Sequence, residues 1–498
     1  MPGPTRTRDL VITIAVIGLA CLLRGVRLSQ TPGWDGDEGY NVEIAWQLLH
    51  GRAQAFAVSQ SFVQHPILFY ALLAPLLGAF GRELWVARLL AAGSGALAAG
   101  LIYLAVTRGS GTRPALLAAL AFSWAPLFVL HNRLAYTYNL LLLWSAATLL
   151  FVTLWEERRA RRWLAAACVC AALGLLTDQV GIALPVFVAL RQLPRKRVAA
   201  LSLAASVTPA AVAALLILAL SPQAALEDWW HSLFRVGGAA PGAPDGGTAV
   251  RIALWFVNYL HLLRAEWWWP AAIAGLFMVC PMSARRRVLT LSAVLVVPVF
   301  ALRELDPFFR TGIPLLLPGA IGIGALLDRS FAAVYRTVPH RAASAVVVSL
   351  VAILPLGLEL ARTGGALATR FTTRFDWALV VEQDDARSAA AYVNRRVAPG
   401  DLVLVSPHVS WLYRGEVADF FQAVAWTGQP VAFYPADMPR ERFRFDLSVD
   451  RARFVVLDPF WERWIEASVP LEALTRQIRS WPEELRAGPF SVRRNPRF

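Results

Sequence analysis

The feature that most constrains this chain is a succession of long apolar runs separated by short basic gaps. Residues 10–23, 84–106, 114–130, 198–220, 288–302, 313–327 and 342–360 each form an apolar stretch as long as a bilayer-crossing helix, or nearly so. Hydrocarbon offers no water to pair with backbone amides, so such runs fold as helices. Of the 498 residues, 57% are hydrophobic and only 16% charged, where soluble domains carry about 25% charged residues. An ordinary soluble protein is excluded. The first run is followed by no small-residue cleavage pattern (Cys21, Leu22, Leu23, Arg24), so it is expected to stay as an anchor and not to be removed as a signal peptide.

A net charge of +14 raises the question of nucleic acid, but its distribution argues against that partner. The basic residues sit at 6–8, 108–113, 156–162, 191–197, 285–287 and 329–341, between apolar runs. Placed on the cytoplasmic face, all of them obey the positive-inside rule. Alternating from a cytoplasmic N-terminus gives about eleven spans. The outer face then holds residues 29–81, a hairpin tip at Asp178, residues 221–264 and 303–310, and everything after about Thr363. This count requires residues 250–263 to lie along the outer surface as an amphipathic helix. Trp229, Trp230 and Trp267 to Trp269 read as interfacial belts. Cys21, Cys168, Cys170 and Cys280 all lie in apolar runs and read as small buried hydrophobes, with neither a disulfide framework nor a zinc motif.

The tail is less apolar and mixes periodicities. Residues 384–397 read as an amphipathic helix ended by Pro399 and Gly400, and 471–481 as another. Residues 401–406, 430–434, 453–458 and 490–493 read as short strands. The expected fold is thus an all-α polytopic membrane domain, residues 1–362, followed by a small α/β extracytoplasmic domain, residues 363–498. No Gly-rich loop follows a strand, so nothing supports a nucleotide site.

Polar residues gather on the expected outer face. They are Asp35, Asp37, Glu38, Tyr40 and His65 of the first loop; His131, Arg133, Tyr136, Tyr138 and Asn139 at the second outer turn; Asp178; and Arg303, Glu304, Asp306 and Arg310. Arginines there oppose the orientation bias, and ionisable groups near a membrane tend to mark sites. Each also has a plainer role. Asp37 would cap a helix starting at Glu38, Arg133 would snorkel to headgroups, Asp178 would serve a tight turn, His65 would be interfacial, and Glu304, Asp306 and Arg310 would pair locally.

Asp37-Glu38-Gly39-Tyr40, Ala45, Leu48-Leu49 and Gly51, then His65-Pro66-x-Leu68-x-Tyr70, Phe80-Gly81 and Arg88-Leu89, together resemble the start of the lipid-linked-sugar glycosyltransferases of the GT-C fold. The resemblance is to the branch holding the protein O-mannosyltransferases and the aminoarabinose transferase acting on lipid A. It continues through residues 118–143 and 173–177, reappears at 310–318, and covers roughly residues 10–330. The resemblance implies an inverting transfer of a sugar from a polyprenyl-phosphate donor to a lipid, protein or glycan acceptor, at the outer face of the cytoplasmic membrane and amid its lipids. It matches Asp37 to the catalytic aspartate of the first loop, as base, with Glu38 beside it. Arg133, Arg310 and Arg303 become candidates for the donor phosphate. Asp35, Tyr40, His65, Tyr138, Asn139 and Asp178 become candidates for binding substrate. The chain departs from the family's pattern at Asn139, where relatives carry an aspartate, at Asp178, where a lysine is frequent, and at His65, where the lipid A branch has a lysine. Asp35-x-Asp37 is compatible with a divalent metal, but no obligatory cofactor or metal is expected. Two other readings compete: a transporter or flippase of lipid-linked saccharides, which predicts repeated halves with broken helices, and a non-catalytic envelope scaffold, which predicts no outward charge cluster.

Overall fold

The computed structural model describes residues 4–51, 66–220, 226, 272–279, 282–301, 313–337, 341–369, 380–429, 438–465 and 469–498. They fall into two compact units. One comprises Met1–Leu28, Leu89–Ala214 and Thr248–Thr369, and the other Ser29–Arg88, Leu215–Gly247 and Arg370–Phe498.

The first unit is helical. Among the described residues, four helices are long and apolar enough to cross a membrane: Leu84–Ser110, Thr137–Arg158, Lys196–Ala219 and Ile313–Thr337. Their interiors are rich in Ala, Leu and Gly, and small residues let backbones approach closely. A Cβ on Gly275 would overlap the Gly322 carbonyl, and one on Gly322 would overlap that of Ala272. The expected single run at 114–130 is two helices, Thr112–Trp124 and Pro126–His131, with Ala125 extended between them. The cause is Pro126, which pushes the residue before it out of the helical region and has no N–H to donate. The hairpin expected around Asp178 is present, as Arg161–Thr177, a 3₁₀ turn Gln179–Ile182 and Ala183–Leu190.

Several of the basic gaps meet at one end of this unit. Arg287 lies against Gly109 and pairs with Glu156 at 3.2 Å, Arg191 pairs with the same carboxylate at 2.6 Å, and Arg113 pairs with Asp328. That is the grouping the charge count expects. The expectations for residues 250–263, for the tryptophans at 229–230 and 267–269, and for residues 303–310 lie outside the described residues.

The second unit contains the first loop and a five-stranded sheet. The strands are β1 (Leu402–Val405), β2 (Glu416–Asp419), β3 (Ala452–Leu457), β4 (Glu483–Ala487) and β5 (Phe490–Arg494), in the order β2-β1-β3-β5-β4. β1 is parallel to both β2 and β3, while β5 is antiparallel to β3 and β4. β1 is buried at all four positions, as a continuous apolar run in a parallel setting should be. Aromatic residues of the following helices, Phe420, Phe421 and Trp461, fill the core beneath it. The helices expected at 384–397 and 471–481 are Gln383–Asn394 and Val469–Arg479. β2 and β4 were not expected. The strand expected at 430–434 lies outside the described residues.

Candidate active site

The first-loop helix runs Gly36–Leu49, and its N-cap is Asp35, not Asp37. Asp35 Oδ1 accepts the Asp37 amide at 2.9 Å, while Glu38 Oε2 accepts the Asp35 amide at 3.2 Å, a reciprocal capping box. Three acidic neighbours thereby acquire three environments. Asp35 is 6% exposed and engaged as the cap, and Glu38 is 0% exposed. Glu38 receives Arg88 Nε at 2.8 Å and Nη2 at 2.6 Å, and the same guanidinium donates to the carbonyls of Pro32 (2.8 Å) and Gly33 (2.7 Å). A carboxylate closed into a bidentate, fully buried pair holds the loop in place. Asp37 alone of the three is half-buried. Residues two apart on a helix do not share a face, so Asp35 and Asp37 do not converge on one point. Among the described residues, no group of three or more His, Cys, Asp or Glu side chains is placed to share a metal ion.

The sheet holds this helix from beneath. Gly36 rests on the His408 ring, and a Cβ on Gly39 would overlap the Pro407 carbonyl. Both belong to the segment that follows β1. Tyr40, one turn along, donates its hydroxyl to Asp419 at the end of β2. Asp419 is buried and caps the helix Phe420–Trp426 through Gln422, and burial lifts its carboxyl from 3.8 to about 6. Asp458, at the end of β3, is likewise raised to about 6 by burial and receives the Ser406 hydroxyl. Sequence reasoning singled out neither acid. The only cue was that each closes a short β-branched or buried run, the edge at which parallel sheets place polar groups.

In the first unit the break before Pro126 is held by buried polar side chains, to which Asn139 of the expected set is linked. Without an N–H at Pro126, the Phe122 carbonyl loses its helical partner, and Arg24, fully buried, replaces it. Its Nη2 donates to Phe122 O at 2.9 Å and its Nη1 to Ser123 O at 3.0 Å. Thr363 donates to Trp124 O at 2.6 Å. Arg24 also holds Asn132 Oδ1, at 2.9 Å through Nη2. Asn132 in turn donates to Asn139 Oδ1 at 2.7 Å, and Asn139 donates to the carbonyls of His131 (3.0 Å) and Leu134 (2.7 Å). An aspartate could not donate these last bonds, which accounts for Asn139. Arg133 is fully buried and donates to Leu23 O at 3.0 Å and Val26 O at 2.5 Å, the carbonyls ending the first helix. Arg27 does the same for the helix Arg341–Thr369, through Ala368 O at 2.9 Å. Arg133 thus has a structural reason to be there, and it does not snorkel.

Asp178 accepts the Thr137 hydroxyl at 2.7 Å and the Val180 amide at 3.0 Å, so it caps the 3₁₀ turn. Tyr138 is half-buried against the helical core. His65, Arg303 and Arg310 lie outside the described residues. Sequence reasoning missed Arg24, which sits mid-run and reads as the end of an anchor, and it missed Arg88 as the partner of Glu38.

Comparison with known proteins adds the remaining frame. Residues 64–225, about a third of the chain, match the family model of dolichyl-phosphate-mannose-protein mannosyltransferase. No curated protein sequence matches the chain. Among solved structures, ArnT from Cupriavidus metallidurans in the apo state is 17% identical with a TM-score of 0.63, covering 98% of both chains. The same protein bound to undecaprenyl phosphate is 15% identical with a TM-score of 0.62, covering 97% of both. The archaeal oligosaccharyltransferase AglB from Archaeoglobus fulgidus, in complex with an inhibitory peptide and a dolichol-phosphate, is 14% identical with a TM-score of 0.57, covering 99% of this chain and 75% of its own. The chain therefore has the GT-C fold of ArnT and AglB, that of a membrane-embedded helical protein with a small C-terminal sheet domain, from one end to the other.

Proposed function

We propose that this protein transfers a sugar from a polyprenyl-phosphate donor to an acceptor hydroxyl at the outer face of the membrane, with inversion at the sugar carbon and Asp37 as base. The observation that carries the reading is the division of labour in the first loop: Asp35 caps, Glu38 is locked to Arg88, and Asp37 is the acid left partly accessible. A hydroxyl is a poor nucleophile and gains from a positioned carboxylate that takes its proton. The acceptor oxygen attacks the anomeric carbon as the bond to the donor phosphate breaks on the opposite face, and the proton passes to Asp37. Glu38 and Arg88 act as positioning residues. Charge grows on the departing phosphate and calls for arginine. Arg303 and Arg310 take that role by resemblance, while Arg133, engaged with helix-end carbonyls, orients its own turn. Support comes from the family model over residues 64–225 and from the lipid phosphates named with ArnT and AglB. In this reading residues 370–498 are extracytoplasmic.

The test is a membrane assay with radiolabelled polyprenyl-phosphate sugars. Asp37→Asn should slow transfer by about 10²–10⁴-fold, the usual worth of a general base, without loss of folded protein. Transfer at the parent's rate would remove Asp37 from the chemistry.

A further inference from the structure

Along the first-loop helix, Tyr40, Glu43 and Gln47 face a cleft. Its opposite wall is built from Glu416 and Asp419 of β2, from Gln422 of the helix that follows, and from Arg444 and Phe445. At 100° per residue, Glu38 points about 180° away from Gln47, toward Arg88, so one helix separates its structural face from its cleft face.

The lining is neither anionic nor apolar in effect. Glu43 is paired with Arg82 and Glu416 with Arg451, and Asp419 holds the Tyr40 hydroxyl. With the acids already matched, the cleft has no surplus charge to attract a cation. What it does offer is uncommitted hydrogen-bonding capacity of both signs beside a ring. Gln47 is nine-tenths buried, and its Oε1 has no hydrogen-bond partner among the described residues while its Nε2 donates to Glu43 at 2.6 Å. A buried carbonyl oxygen without a partner is destabilising, and a ligand hydroxyl that reached it would restore the missing bond. Arg444 makes no ion pair or hydrogen bond among the described residues, and Phe445 is half-buried beside it. Gln422 uses its oxygen on the Asp419 amide, leaving its NH₂ for a partner. A hydroxyl both donates and accepts, and a sugar ring has an apolar face that packs on an aromatic ring.

We infer that this cleft binds the acceptor, and that the acceptor segment it holds is a neutral saccharide. The inference rests on Asp37 being the base. Asp37 and Tyr40, three residues apart on one helix, are neighbours on its surface, so a sugar reacting at Asp37 would meet the cleft at its Tyr40 end.

The experiment uses the full-length protein in detergent, with diazirine-bearing maltotriose, mannotriose and chitotriose as separate probes and the same unlabelled sugars as competitors. At least one probe should label peptides containing residues 40–47 or 444–445, with labelling competed by its own sugar. Gln47→Met and Arg444→Ala should each weaken labelling by about tenfold, equivalent to about 1.4 kcal/mol, and Arg444→Lys should restore most of it. The inference is overturned if no neutral probe gives competed labelling, if neither substitution alters it, or if only glucose 6-phosphate competes. Photolabelling needs neither donor nor turnover, so the two readings fail separately. Intact labelling with an active Asp37→Asn enzyme removes the base alone, and absent labelling with an inactive Asp37→Asn enzyme removes the cleft alone.

Discussion

Glu38 and Arg88 show how much a single buried pair determines here. Neither side chain has any exposed surface, and Arg88 ties the carboxylate to the carbonyls of Pro32 and Gly33. Removing one partner leaves an uncompensated buried charge, at a cost of about 3–5 kcal/mol. Glu38→Ala should therefore lower the midpoint of thermal unfolding followed by tryptophan fluorescence, and Glu38→Gln should lose less because it keeps an acceptor for Arg88. Equal stability of Glu38→Ala and parent would mean that the pair does not hold the loop. At this scale the sequence was partly legible. The acidic triplet pointed to the loop, because carboxylates near a membrane need a reason. It did not reveal which acid caps, since Asp35 and Asp37 are equally good caps in isolation. Asp419 was invisible as the partner of Tyr40 because the two are separated by 379 positions.

Among the elements, the carboxyl ends of the parallel strands carry an unusual pH dependence. Asp419 and Asp458 are each raised by burial from 3.8 to about 6. Between those values the folded protein binds more protons than the unfolded chain, so stability falls as pH rises. The contribution is complete below about pH 4 and is lost as pH passes through 6, up to about 3 kcal/mol per group at 1.36 kcal/mol per pH unit. Thermal unfolding of the protein should shift upward as pH drops from 7 to 5. Asp458→Asn, which mimics the protonated form, should flatten that rise, and an unchanged slope in Asp458→Asn would exclude Asp458 as its source. The strands themselves divide by legibility. β1 and β3 are apolar and were readable. β4 is not, because Glu483 and Glu484 have poor strand propensity, and they are held by Arg493 (2.7 Å) and Arg494 (3.1 Å) across the hairpin. The broken run at 114–130 could have been read from Pro126, but the hydrophobic period passes through it without interruption.

For the whole molecule, the division into units does not follow the chain. Residues 29–88, which include the first loop, belong with the C-terminal sheet, through the Trp34–Val380 bridge, the glycine seat on Pro407 and His408, and the Tyr40–Asp419 bond. A chimaera that receives residues 370–498 from a relative with the same fold should therefore express poorly or lack activity. One that also receives residues 29–88 should recover both, as judged by detergent-stable yield and sugar transfer. Equal behaviour of the two chimaeras would show that the seat is not specific. Sequence periodicity placed these segments in different domains because contact between distant segments leaves no periodic trace. The helical character and the clustering of the basic gaps were legible because hydrocarbon and the orientation bias act locally along the chain.

The arginines that close the helix ends bear on how the protein is made. The first helix, Pro4–Gly25, carries Arg24 in its last turn, and Arg27 follows two residues beyond its end. In the finished molecule Arg24 and Arg27 are bound to carbonyls of segments synthesised much later, Phe122 and Ala368. While the first helix is being made, those carbonyls do not yet exist, so its closing arginines find their partners only after the segments carrying Phe122 and Ala368 have been synthesised.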